Sequence, residues 1–239
     1  IPEPILIGLI LLQDGFGGFG QRVILREVGS DNTAYISQEQ IARTGVLLRT
    51  GFTTNETGYL SPLIIGDSRW ARVTEKRGSR NGVYNMNLTE SGLKATGDWF
   101  KSSSEYGHLF ETVRPSRERM SLASGPGNPT VNSTFDFTLE TIFYRDPGGQ
   151  LWIASNVQQG RDTSMTPAAE KAFASWFNEH QKRFGPRNRT RLDRVRDRKG
   201  YFFGFSPETD GIDSLSSLNW EATSTFVTGE LSPGSRSNP

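Results

Sequence analysis

Turn-forming residues interrupt this chain so often that few windows leave room for a long helix. Its 239 residues include 26 glycines and 12 prolines, set among abundant Ser, Thr and Asn. Gly reaches positive φ without strain, Pro removes a backbone donor, and the short polar side chains bond the backbone locally. Short strands joined by turns satisfy such a pattern better than helices do. Apolar content is modest at 34%, but fifteen Phe and five Trp bring large surfaces to bury. At this length the core can be substantial. The fold class implied is mainly β: an antiparallel β-sandwich or jelly-roll-like domain over 1–230, with one long amphipathic helix at about 167–183 and a mobile polar tail at 231–239. An α+β arrangement is the alternative.

The clearest strand pattern is 133–143, where Phe135, Phe137, Leu139, Thr141 and Phe143 alternate with Thr134, Asp136, Thr138 and Glu140. Asp146-Pro-Gly-Gly149 reverses the chain and 151–157 returns, forming a hairpin. Further strands are expected at 5–12, 22–28, 70–75, 83–88, 201–205 and 218–227. The segment 36–48 reads as ambiguous, with Ser37 able to cap a short helix, and 89–100 as a short helix capped by Thr89. The segment 114–130 reads as loop. The long helix is expected to take Thr166 as cap and Pro167 as its first residue. Ala169, Phe173, Trp176, Phe177 and His180 form its apolar stripe, and it should stop near Phe184-Gly-Pro186.

Composition removes several chemistries. There is no cysteine, which excludes disulfides, thiolate nucleophiles and Cys-ligated metals, and only His108 and His180 carry imidazole, which excludes a three-His site in one chain. The apolar run 5–12 is too short to span a bilayer, so no membrane span is expected. The sequence opens on Ile1 rather than Met, as a processed product would, and Asn55, Asn87, Asn132 and Asn188 each begin an N-glycosylation pattern. Both point toward a virion or extracellular location.

Charge is distributed unevenly. Lys182, Arg183, Arg187, Arg189, Arg191, Arg194, Arg196, Arg198 and Lys199 fall within 18 residues and are opposed only by Asp193 and Asp197. That stretch carries +7 in a chain of net +1, which leaves −6 elsewhere. Such a surplus calls for an anionic partner, and its Arg bias favours planar, bidentate contacts to carboxylate or phosphate. A second basic cluster at 69–82 includes Arg77 and Arg80. Glu208-x-Asp210-Gly211-x-Asp213 gathers three carboxylates around a turn, the donor type a calcium ion would need. Gly15-x-Gly17-x-x-Gly20 matches a dinucleotide-binding spacing, although a strand pattern follows it where a phosphate-binding helix should begin. His108 with Ser104 is the one pair suggesting hydrolysis, and no nucleophile-elbow motif supports it.

Two short resemblances accompany these patterns. Residues 6–15 are similar to the signature helix of LAGLIDADG homing endonucleases, but with one residue inserted before Asp14 and no second copy. Residues 70–90 resemble the wing of winged-helix proteins, through Tyr84, Leu88, Thr89 and Gly92. That resemblance implies DNA contact through Arg77 and Arg80.

The leading functional expectation is a non-enzymatic structural or recognition protein, a virus-coat-like subunit that self-assembles into a homo-oligomer through its Arg-rich segment. One alternative is a DNA- or RNA-binding protein using hairpin 69–82 and segment 182–199. The other is a secreted carbohydrate-binding protein or glycoside hydrolase, whose paired carboxylates would leave no local spacing signature.

Overall fold

The computed structural model describes residues 15–63, 83–90, 92–123 and 127–233. The expected strands at 5–12 and 70–75, both family resemblances over most of their length, and Arg77 and Arg80 lie outside them. Among the described residues the protein is mainly β, 54% strand and 11% helical, with a large mixed sheet, two small sheets and two helices. No helix is long and apolar enough to cross a membrane among the described residues.

The chain divides into two compact units, residues 1–22, 38–112 and 210–223 in the first and 23–37, 113–209 and 224–239 in the second. The long strands β1 (Gly18–Val28), β2 (Thr33–Thr44) and β15 (Leu218–Glu230) contribute residues to both. In the first unit the large sheet runs β15-β1-β2-β7-β4, where β4 is Tyr59–Pro62 and β7 is Ser104–Pro115. A three-stranded sheet accompanies it, ordered β3-β6-β5, from Phe52–Thr54, Gly92–Gly97 and Tyr84–Thr89. Phe52, Leu93 and Ala95 of the small sheet pack in one cluster with Ala42, Leu60, Phe110 and Leu218 of the large one, beside Trp99 and Phe100.

In the second unit the large sheet runs β13-β11-β10-β14-β15-β1-β2. Here β10 is Leu139–Arg145, β11 Leu151–Val157, β13 Thr166–Ala168 and β14 Tyr201–Ser206. Both of its faces are covered. Neighbouring residues of one strand enter opposite clusters, as the pleat requires. Phe202, Val227, Ile142 and Tyr144 join Met120, Val131 and Met165 from around a second small sheet, ordered β12-β9-β8-β16, from Thr163–Ser164, Thr130–Ser133, Met120–Ala123 and Ser232–Pro233. Phe203, Phe226 and Phe143 join Phe173, Phe177, Phe184 and Leu192 from the helices α1 (Glu170–Gln181) and α2 (Pro186–Val195).

Strands 201–205 and 218–227 follow the sequence expectation, as does the part of the expected 133–143 and 151–157 hairpin from residue 139 onward. β10 and β11 pair antiparallel with Tyr144 opposite Trp152. The turn is closed by Asp146, whose Oδ1 accepts from Gln150 N (2.9 Å) and whose Oδ2 accepts from Trp152 Nε1 (3.0 Å).

Other expectations need correction. The strand 133–143 is broken: 130–133 belongs to the small sheet and 139–145 to the large one. Phe135 and Phe143 therefore lie in different clusters, with Phe137 only partly buried. Of segment 36–48, residues 36–44 are strand rather than helix. Segment 89–100 holds strand β6, because Gly92 and Gly97 take φ of +134° and +102° beneath backbone carbonyls that leave no room for a Cβ. The loop 114–130 contains strand β8. Thr166 and Pro167 do not start the helix; they pair with the edge of β11, and Ala169 occupies the cap without a side-chain bond. The helix α1 stops at Gln181, close to the expected end near Phe184-Gly-Pro186, but Pro186 then opens a second helix, α2, at its first turn. Of the polar tail, 232–233 pairs with β8 and 234–239 is outside the described residues.

Candidate anionic-partner surface

Nearly the whole Arg-rich stretch lies on α2 and its flanks, and the structure divides its nine cations into distinct roles. α2 buries Asn188 and Leu192, which sit four residues apart on one side. Asn188 Nδ2 donates to Ser37 Oγ (2.9 Å), which fixes the helix to β2. The opposite surface is left to the cations.

Two arginines are committed to the fold. Arg189 turns back on the α1–α2 connection, donating from Nε to Phe184 O and from Nη2 to Lys182 O (3.0 Å), carbonyls left over at the end of α1. Arg191 reaches Glu27 with two nitrogens, at 3.2 and 3.1 Å, and stacks over Tyr35 with 3.8 Å from guanidinium carbon to ring centroid. This planar, two-point geometry is the one Arg favours and Lys cannot supply.

Three more are oriented by aromatic rings. Arg183 stands over Phe205 (5.0 Å), Arg196 over Phe177 (5.4 Å) and Arg198 over Tyr201 (5.4 Å), with Arg198 Nη1 donating to the Tyr201 hydroxyl (3.1 Å). Stacking occupies the guanidinium face and leaves N–H groups along its edge for an acceptor. Arg187 is exposed in the first turn of α2. The side chains of Lys182, Arg194 and Lys199 are exposed and make no hydrogen bond or ion pair among the described residues. The positive end of the α2 dipole adds to Arg187, and no acidic residue lies in that turn to offset it.

Arg191, Arg194 and Arg198, spaced at three and four residues, line a groove of about 620 Å³ in the second unit. Its other wall is the 29–33 turn, and Tyr35 and Tyr201 also line it. Its two carboxylates are already engaged, Glu27 by Arg191 and Asp31 by Thr33, whose hydroxyl (2.6 Å) and backbone N–H (3.2 Å) bond the same oxygen. Those Thr33 bonds hold Asp31 below the ordinary carboxylate range.

The remaining candidates are not assembled into sites. Glu208, Asp210 and Asp213 form no cation cage: among the described residues no group of three or more His, Cys, Asp or Glu is placed to hold a metal ion. Asp213 instead pairs with Arg22 (3.0 Å). Gly15 and Gly17 lead directly into β1, which includes Gly20, so a strand follows where a phosphate-binding helix would begin. Ser104 Oγ donates to Ser102 O, not to His108.

His108 is enclosed. Its Nε2 donates to Trp99 O (2.8 Å), which places the proton there and leaves Nδ1 to accept from Gln40 Nε2 at 3.5 Å. Burial pushes its pKa down to about 4, so the ring is neutral near pH 7. His180 is also lowered by burial, against the opposing pull of the Trp176 carbonyl that accepts from its Nδ1 (2.7 Å). No protein-family model matches this chain, and comparison with curated proteins finds no relative.

Proposed function

We propose that this protein is a non-enzymatic structural or recognition subunit that assembles with neighbouring copies, as coat subunits do, through the exposed cations of α2 and its flanks. The observation that carries the proposal is the way the guanidinium groups are held. Arg183, Arg196 and Arg198 are oriented by rings, and Arg194 is exposed beside them without a partner among the described residues. Ordering long side chains costs entropy, and groups already ordered bind an anionic surface with less of that cost outstanding.

The test is sedimentation beside a fluorescence titration with nucleic acid, both at several salt concentrations. The variant carries Arg194→Gln, Arg196→Gln and Arg198→Gln, which removes three charges while sparing Arg189 and Arg191. Assembly should weaken, added salt should weaken it in the unmodified protein, and the melting temperature should change little. Intact assembly with a nucleic-acid salt slope reduced by up to about three units would replace this reading with nucleic-acid binding.

A further inference from the structure

Building on the assembly reading, we infer that the surface received by α2 is the acidic turn of a neighbouring copy, with Asp210 and Asp213 meeting the guanidinium edges of Arg194 and Arg198. Charge complementarity within the chain motivates this choice of occupant. Residues 201–235 contain five carboxylates and neither Lys nor Arg, directly after the Arg-rich stretch. Asp210 and Asp213 are both exposed, the Asp213 side chain to 84%.

The turn is also held in place. Gln38 grips the backbone of Ile212 from both sides, accepting from its N–H at 2.7 Å and donating to its carbonyl at 2.7 Å. Arg22, stacked on Trp220 (4.6 Å), bonds Asp213 through Oδ1, and Asp213 Oδ2 has no partner among the described residues. A held acceptor turn is therefore exposed in the first unit of each copy, and in the second the exposed donors are Arg198, held on Tyr201, and Arg194 beside it. A copy cannot pair α2 against α2, because that brings like charges together. Each contact must join the two different surfaces.

Charge exchange between two variants tests this. One carries Arg194→Glu and Arg198→Glu; the other carries Asp210→Lys, which substitutes neither Asp213 nor Arg22. All three altered side chains are exposed, and a thermal melt checks that each variant folds. Each variant alone should self-associate at least about tenfold more weakly than the unmodified protein in sedimentation at low salt. An equimolar mixture should recover assembly, because reversed donors then meet reversed acceptors. If the α2 variant is impaired while Asp210→Lys associates normally, or if the mixture fails to recover, the acidic turn is not the occupant and the assembly reading stands without it. If the α2 variant associates like the unmodified protein, or the unmodified protein is monomeric at every concentration, both fail together.

Discussion

Both units bury apolar clusters, but they differ in what accompanies them. Beneath α1 and α2 the second unit stacks Phe143, Phe173, Phe177, Phe184, Phe203 and Phe226, with Phe173 5.3 Å from Phe203 and Phe177 5.8 Å from Phe226. The first unit threads hydrogen-bonding side chains through its interior. Gln38 donates to Gln40 (3.0 Å), and Gln40 reaches both His108 and Ser214. An aromatic cluster is stabilised by contact area, and its phenyl rings carry no titratable group. A buried polar chain is stabilised only while each donor and acceptor is paired, and here it includes a titratable ring. The two units should therefore fail under different stresses.

The largest expected effect is in the aromatic cluster. Phe173→Ala should cost about 3–5 kcal/mol in chemical unfolding, because a large void opens between close neighbours. A loss under 1 kcal/mol would show that the helices are not anchored there. The second effect distinguishes the units by pH. The unfolded chain protonates His108 near pH 6.5, whereas the folded chain resists until about 4. Between those values the unfolded state binds more protons, so stability falls as pH drops from about 6.5 and levels off below about 4. The total is on the order of 3 kcal/mol, taken from the shift at 1.36 kcal/mol per unit. Hydrogen exchange should show protection falling at residues 104–112, and His108→Gln should flatten the dependence. Equal loss in α1 would attribute the effect to His180 as well.

A smaller loss, about 1–3 kcal/mol, is expected for Gln38→Leu, which strips the partners from Ile212 without opening much space. The loss should be independent of pH above 7. Smallest is Glu170→Gln. It removes the two-point pair with Arg145 (3.0 and 2.9 Å), but the Glu170 side chain is 60% exposed and solvent screens much of the interaction. Melting should register less than about 1 kcal/mol.

How far the sequence was legible follows the same division. The 139–157 hairpin and the stripe Phe173, Trp176, Phe177, His180 were readable because their burial follows a local period. β2 was not, since Ser37, Gln38, Glu39 and Gln40 are buried in succession and show no alternation. α2 was missed because a buried Asn188 and only Leu192 mark its inner side, and because Pro186 after a glycine reads as a stop as easily as a start. The Arg-rich stretch was visible from composition alone. Its sorting was not: Arg191 meets a carboxylate 164 residues away, and Arg189 bonds only main-chain carbonyls.

The placement of β1 has a consequence for synthesis. Gly18 N bonds Ser217 O (3.2 Å) at one end and Gly229 abuts Val28 at the other, so β1 runs parallel to β15 and lies between it and β2. A ribosome adding about 5–20 residues each second needs roughly 10–40 s to pass from the end of β1 to the start of β15. Until then the β1–β2 hairpin presents an open strand edge to the cell. Chains truncated before residue 218 should be retained by chaperones or aggregate, whereas losing only the residues after 233 should leave the sheet able to close.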